Sequence, residues 1–219
     1  ANSLGGNVRF EVSEQDSLTY LAAEKLFMRG DNEGARRSLT NYLQTFPQGA
    51  FSSNANFYLA SIAFAKKDLE EAKRLFSLVL ESGDTKFREE SWARKAEIEY
   101  LDKDYAAAME SFKHLQAVAE NPENKEAAKL GLMRCAELTG QPQEALLAAN
   151  DLLKEPKLSP EIMSEARYVR AKAYISLKQE NKALADLKEI TKGSWSEDDL
   201  ASAERRYERT AAVMKRLGS

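Results

Sequence analysis

Histidine and cysteine occur once each in the 219 residues, and glycine and proline are scarce, at ten and five residues. Metal and acid–base chemistry need clustered ligands, whereas His114 and Cys135 stand apart, without H-E-x-x-H or C-x-x-C spacing. G-x-S-x-G and P-loop sequences are also missing, and sparse glycine argues against a loop that cradles phosphate. The sequence therefore predicts a chain that is not an enzyme and that binds no metal or cofactor.

An excess of basic charge is also missing, because 32 basic residues face 35 acidic ones for a net charge of −3. Proteins that bind phosphate backbones usually carry a strong basic excess, so nucleic acid is not an expected partner. No apolar run approaches the roughly 20 residues that span a bilayer, so direct membrane insertion is not expected either. The lone cysteine leaves the compartment open. Because the chain begins at Ala1 without methionine, we interpret it as a processed product or an excised segment.

A sequence motif, which we call the recurring phrase, is repeated along the chain. In it, a short polar turn is followed by an alanine and, four residues later, by a second packing residue. The turns begin at Gly30, Lys67, Lys103, Gly140 and Lys178. We call the alanines that follow them the register alanines, and they are Ala35, Ala72, Ala108, Ala145 and Ala183, at intervals of 37, 36, 37 and 38 residues. Such regular self-similarity is typical of repeat architectures.

Each phrase lies between two amphipathic stretches, which predicts a helix pair whose apolar face the next pair covers. Small residues also recur twelve positions before the register alanines, at Ala23, Ala60, Ala96 and Ala171, with Met133 as the exception. This pattern resembles the tetratricopeptide repeat (TPR), although the family period is about 34 residues. The resemblance implies an all-α, right-handed superhelical solenoid of five helix pairs, at about 16–48, 52–84, 87–120, 123–156 and 159–192.

Boundary signals frame this array. Asn121-Pro122-Glu123 and Ser159-Pro160-Glu161 predict helix starts, because each combines a capping side chain, a proline and an acidic residue. Ser13 with Asp16 has the spacing of a capping box and predicts the start of the first helix, so we expect residues 1–12 to be disordered or of cloning origin. Residues 13–193 would hold the repeats. We expect residues 194–219 to form a C-terminal capping helix over the last repeat.

A second resemblance concerns Phe46-Pro47-Gln48-Gly49 and the segment Ala55-Asn56-Phe57-Tyr58-Leu59-Ala60. These phrases resemble TPR proteins of the Gram-negative envelope, namely the Tol-Pal coordinator and the lipoprotein of the barrel-assembly machine. The resemblance is clearest over residues 18–80. It implies a periplasmic or outer-membrane-associated location, with the cytoplasm as the alternative.

In the TPR family the first helix of each pair faces the concave groove, and the groove positions recur at fixed offsets. The resemblance therefore implies a set of partner-binding residues: Tyr20, Glu24, Phe27, Phe57, Ser61, Phe64, Glu97, Tyr100, Leu130, Arg134, Tyr168 and Lys172. This set is aromatic at one end and mixed in charge at the other. It suits a protein or peptide segment anchored by apolar side chains.

The favoured function is thus a non-catalytic scaffold that binds a protein or peptide segment, and the oligomeric state stays open. One alternative is a carbohydrate-handling lipoprotein of the starch-binding TPR type, although that group carries long insertions and the turns here are short. A cytoplasmic regulator that senses a peptide is the other.

Overall fold

The computed structural model describes the backbone of residues 2–190 and the side chains of residues 14–190. The predicted capping helix at 194–219 and the end of the predicted repeat segment at 191–193 lie outside the described residues. The described part contains helices and turns only. The helices are α1 (Asn2–Met28), α2 (Asn32–Thr45), α3 (Ser52–Ala65), α4 (Leu69–Glu81), α5 (Arg88–Leu101), α6 (Tyr105–Val118), α7 (Pro122–Leu138), α8 (Pro142–Leu153), α9 (Pro160–Ser176) and α10 (Glu180–Ile190).

The chain divides into two compact units, Ala1–Ile98 and Glu99–Ser219, which we call unit 1 and unit 2. In unit 1, α1 packs against α2, α2 against α3, and α3 against α4. In unit 2, each of the helices from α6 to α10 packs against the next one along the chain. Sequential packing of this kind is the mark of a repeat architecture, in which each element contacts mainly its neighbours.

The register alanines lie in the core, as predicted, with at most 2% of any of them exposed. The small residues twelve positions earlier, Ala23, Ala60, Ala96 and Ala171, are fully buried, and so is Met133. The fourth pair reverses the usual sizes, because Ala149 follows its register alanine where the other pairs carry Leu39, Phe76, Phe112 and Leu187. A large residue in the first helix thus accompanies a small one in the second, which conserves core volume.

The five polar turns share one backbone geometry. The residue that opens each turn has a positive φ, at Gly30 (81°), Lys67 (64°), Lys103 (62°), Gly140 (69°) and Lys178 (61°). The amide of the next residue donates to a carbonyl five residues back, as Gln141 does to Ala136 at 2.8 Å. Together these features form the Schellman end of the first helix.

Three of these turns also begin the second helix with an aspartate. Asp31, Asp68 and Asp104 are the N-caps of α2, α4 and α6, and their side chains accept from backbone amides three residues on. The turn therefore satisfies the end of one helix and the start of the next within two residues. This double use explains why the phrase recurs so regularly.

Asp16 has a different role from the cap that its spacing predicts. It lies inside α1, which begins at Asn2, and its carboxylate accepts from the amide of Ala50 at 2.8 Å and from the hydroxyl of Tyr42. The Tyr42 oxygen accepts in turn from the amide of Phe51 at 3.0 Å. Burial and the hydrogen bond to Asp16 raise the pKa of Tyr42 to about 12. These contacts tie the loop between α2 and α3 to α1.

The same contacts explain the Phe-Pro-x-Gly phrase. The amide of Gly49 donates to the carbonyl of Phe46 at 2.9 Å, and a Cβ on Gly49 would meet the hydroxyl of Tyr42. Only glycine fits this close approach without a shift of its neighbours. The phrase therefore serves the packing of unit 1.

The first prediction concerns the positive-φ turns. Gly140→Ala should lower the free energy of unfolding by about 1 kcal/mol, because an L-residue in the left-handed region costs about 1–2 kcal/mol. Open space surrounds Gly140, so backbone strain alone is tested. The reverse change, Lys103→Gly, should leave stability unchanged or raise it. Urea denaturation followed by circular dichroism would measure both, and a shift of the same sign in the two variants would contradict the assignment.

The second prediction concerns Gly131, where a Cβ would lie 2.5 Å from ring atoms of Phe112. Alanine stabilises an unpacked helix position by about 1 kcal/mol relative to glycine. Here Gly131→Ala should instead destabilise by about 1–3 kcal/mol through overpacking. The double variant Gly131→Ala/Phe112→Leu should cost less than the two single changes added together, since the smaller side chain removes the clash. Additive losses would show that the ring is not the obstacle.

Candidate functional site

Tyr20, the first of the predicted groove residues, lies in the core of unit 1 with 1% exposed. Its ring stacks on Phe51 at 4.4 Å, and its hydroxyl donates to Glu24 at 2.5 Å and accepts from Asn54 at 3.3 Å. Burial, with the hydrogen bond to Glu24, raises the pKa of Tyr20. Tyr20 thus orients Glu24 and offers no ring surface to a ligand, so it is a packing residue of unit 1.

Phe27 and Phe57 are partly buried against the core of unit 1. Phe57 stacks on Phe87 with 4.2 Å between ring centroids and meets Phe76 edge-on at 5.9 Å. Phe27 packs on Tyr58 at 4.5 Å. The rings of this aromatic group therefore face one another, and Phe57 in particular belongs to the packing.

The remaining predicted groove residues of unit 1 are Ser61, Phe64 and Glu97, and each of them contacts a polar group. The hydroxyl of Ser61 donates to the carbonyl of Phe57 at 2.9 Å. The guanidinium of Arg94 lies 4.9 Å from the ring centre of Phe64 and donates to Glu97 at 3.1 Å. Phe64 is partly exposed and Glu97 is exposed, so these two side chains are accessible, with Arg94 between them.

In unit 2, Arg134 of α7 makes a two-pronged ion pair with Glu165 of α9, at 2.8 Å for both hydrogen bonds. The hydrogen bond to Glu165 raises the pKa of Arg134. Tyr100 lies within the electrostatic reach of Arg134, which opposes the rise that burial causes in the pKa of Tyr100. The planar fork of Arg134 is thereby fixed in orientation.

A second ion pair joins the same two helices, but here the cation lies on α9 and the carboxylate on α7. Lys172 of α9 pairs with Glu137 of α7, and its ammonium lies 4.6 Å above the ring centre of Tyr168. Leu130 of α7 is partly exposed. The structure thus brings Arg134, Tyr168 and Lys172 together, with two glutamates that the sequence did not single out.

Three exposed apolar residues that were not predicted from the sequence extend this set. Met28, Leu101 and Leu138 each lie seven residues before a register alanine, and they are 62%, 57% and 52% exposed. They follow Glu24, Glu97 and Arg134 by four residues, which places them on the same helix face one turn further along. Their shared register was the signal that could have found them.

Within each unit separately, we use the name first-helix surface for the accessible members of its set. In unit 1 they are Glu24, Phe27, Met28, Ser61, Phe64 and Glu97, and in unit 2 they are Tyr100, Leu101, Leu130, Arg134, Leu138, Tyr168 and Lys172.

Cavities lie elsewhere, beside the second helices, and the sequence did not indicate them. One of about 680 Å³ lies among α2, α3 and α4 in unit 1, with Leu43, Ile62 and Leu75 in its lining. In unit 2, one of about 130 Å³ lies among α6, α7 and α8, and one of about 520 Å³ between α8 and α9. Their positions depend on how successive second helices splay, which no local pattern reports.

Cys135 is buried in α7, and burial raises the pKa of its thiol to about 11. Such a thiol is a poor nucleophile at neutral pH. Over the residues that the structure describes, no group of three His, Cys, Asp or Glu side chains is placed to hold a metal ion. Within the same residues no helix is both long and apolar enough to cross a bilayer.

Several solved structures are similar to this chain in fold. The structure of YrrB, described as a TPR protein with an unusual peptide-binding site, superposes with a TM-score of 0.61 at 17% identity, over 78% of this chain and 82% of its own. A MamA structure gives 0.59 at 15% identity, over 81% and 90%. MamA 41-end from Desulfovibrio magneticus RS-1 gives 0.55 at 15% identity, over 80% and 93%.

Neither a protein-family profile nor a curated protein sequence matches the chain. Because the solved structures share only 15–17% sequence identity with this chain, the similarity is one of fold. It agrees with the helix pairs, the buried register alanines and the repeated turns described above. The chain has the fold of the tetratricopeptide-repeat proteins.

Proposed function

We propose that this chain is a non-catalytic scaffold that binds a segment of a partner protein on its first-helix surface. The observation that carries the proposal is the shared register of Met28, Leu101 and Leu138. Three large apolar side chains, each more than half exposed, occupy the same position in three repeats. Scattered exposed apolar residues are ordinary, whereas their recurrence at one repeat position marks an interaction site, at Leu101 and Leu138 in unit 2 and at Met28 in unit 1.

The energetics favour these residues as anchors. Full burial of a Leu or Met side chain contributes about 1.5–3 kcal/mol. Leu101 and Leu138 are 57% and 52% exposed in the free chain, so roughly half of that gain remains available to a complex. The ion pairs Arg134–Glu165 and Lys172–Glu137 lie on the same helices and suit a polar rim that sets the orientation of the bound segment.

A protein ligand is favoured over a carbohydrate by the arrangement of the aromatic rings. Sugars stack on open ring faces, whereas Phe57 and Phe87 lie against each other at 4.2 Å. The similar YrrB structure is described as having a peptide-binding site, and that description supports the class of ligand.

A cell-envelope location is part of the proposal. Its support is the resemblance of the segments at 46–49 and 55–60 to envelope TPR proteins. Fractionation of the source cells, followed by detection of the chain with an antibody, should place it in the periplasmic or outer-membrane fraction. Cytosolic and periplasmic marker enzymes are the controls. Recovery with the cytosolic marker alone would contradict this location and leave the binding surface in place.

The main prediction uses two matched pairs of leucines. Leu101→Ser/Leu138→Ser should weaken binding of the identified partner by about tenfold or more, since about 1.4 kcal/mol corresponds to tenfold in affinity. Leu78→Ser/Leu147→Ser is the control, because these two leucines are also exposed, at 36% and 54%, but belong to second helices. Met28→Ser tests the contribution of unit 1 separately.

The partner would be identified by affinity capture with the wild-type chain, and its affinity would then be measured with purified proteins. Circular dichroism should show unchanged helix content in all variants, because the substituted side chains are exposed. Equal affinities of the two double variants would contradict the first-helix surface as the binding site.

A further inference from the structure

The cavity between α8 and α9 has a lining unlike that of the other two. It is formed by Asn150, Leu153, Lys154, Met163, Arg167 and Arg170, with a volume of about 520 Å³. Volumes of about 300–1,000 Å³ are typical of ligand sites. We call it the basic cavity. Its residues differ from those of the first-helix surface, so it concerns a function beyond the one proposed above.

Arg170 is held in a fixed orientation at this cavity. Its Nε and Nη2 atoms donate to the two carboxylate oxygens of Asp186, at 2.8 and 2.5 Å, and Nη1 donates to the amide oxygen of Asn150 at 3.0 Å. A guanidinium has five N–H donors, so two remain for a ligand after these three bonds. Asp186 is buried and Arg170 is partly buried, and the donors are therefore preorganised.

Lys154 and Arg167 add positive charge that the described part of the chain leaves uncompensated. Neither of them forms an ion pair with any described residue, and the only described carboxylate bound to a cation of this cavity is that of Asp186. Lys154 is exposed at the end of α8, and Arg167 is partly exposed one turn before Arg170. Among the residues that the structure describes, no carboxylate competes with an anionic ligand for either side chain.

The other two cavities provide an internal comparison. In the unit 1 cavity, Arg36 and Lys66 pair with Glu33, and Arg74 pairs with Glu71. In the smaller cavity of unit 2, Lys113 pairs with Glu110 and Lys129 with Glu155. Every lysine and arginine that lines those two cavities thus has a carboxylate partner. Of these three cavities, only the basic cavity is lined by cations, Lys154 and Arg167, that pair with no described carboxylate.

Apolar side chains complete the site. Leu153 and Met163 lie in the lining beside the cations and are partly buried. Methionine adapts its shape to a range of apolar partners. We propose that the basic cavity binds an acidic segment of a partner protein, in which two carboxylates meet Lys154, Arg167 and the free donors of Arg170 and an apolar side chain contacts Leu153 and Met163.

The chemistry favours a protein segment over other anions. Two cations without a described carboxylate partner match two carboxylates, whereas binding to nucleic acid rests on many basic contacts and a basic excess. The chain has a net charge of −3, so a polyanion would be repelled overall while a short acidic segment is attracted locally. A free phosphate would leave the apolar part of the lining unused.

The test uses the full chain and a fluorescein-labelled heptapeptide with three glutamates and two leucines, titrated by fluorescence anisotropy. Wild type should bind this peptide and should bind its glutamine counterpart at least about tenfold more weakly. Lys154→Gln/Arg167→Gln should lower the affinity for the acidic peptide by about tenfold or more. The control Lys66→Gln/Arg74→Gln removes the same charge from the unit 1 cavity and should leave the affinity unchanged.

Other outcomes would overturn the proposal. Equal losses in the two charge variants would mean general attraction and no site. Binding of pyrophosphate that depends on Lys154 and Arg167, without binding of the peptide, would assign the cavity to small anions. Peptide binding only after Glu197→Gln/Asp198→Asn/Asp199→Asn would mean that the chain's own acidic stretch is the occupant. Absence of binding to wild type and to that variant would also refute it.

Discussion

The close approach of paired helices, made possible by small buried side chains, is the constraint on which this fold depends. Alanines mark the contact in the second helix of every described pair, and in four pairs the first helix supplies another alanine. A larger side chain at such a position forces the helices apart. The fourth pair exchanges sizes, with buried Met133 in one helix and buried Ala149 in the other, while Gly131 admits the ring of Phe112. A residue of different size is thus accommodated at a core position where a neighbouring position compensates.

Much of this could be predicted from the sequence because it is local. The register alanines, the polar turns and the helix starts at Pro122 and Pro160 each follow from a few neighbouring residues. The exposure of the aromatic residues could not be predicted in this way. Tyr20 is covered by Phe51 and Phe57 by Phe87, and both covering residues lie in or beside loops that the repeat period does not describe. Asp16 was misread for the same reason, since its partners Tyr42 and Ala50 are distant in sequence.

The charged residues of unit 2 show how repeats can fix side chains on a surface. Arg134 reaches from α7 to Glu165 on α9, and Lys172 reaches back from α9 to Glu137 on α7. Each pair is partly exposed and contributes little to stability, at about 0–1 kcal/mol. Their larger effect is on position, because reciprocal pairs hold four long side chains in place. A ligand that used these charges would have to displace an existing partner, whereas the exposed Leu101 and Leu138 have no such competition.

The two candidate surfaces of unit 2 would therefore respond differently to salt. On the first-helix surface of unit 2, Arg134 and Lys172 are already paired with glutamates, so binding would depend on apolar burial, which moderate salt hardly screens. In the basic cavity Lys154 and Arg167 are uncompensated among the described residues, so attraction of an acidic segment would weaken steeply as ionic strength rises. Apolar anchors act mainly by slowing dissociation, and unpaired charges mainly by speeding encounter. A partner that engaged both surfaces would gain fast association from one and long residence from the other, without any new contact between them.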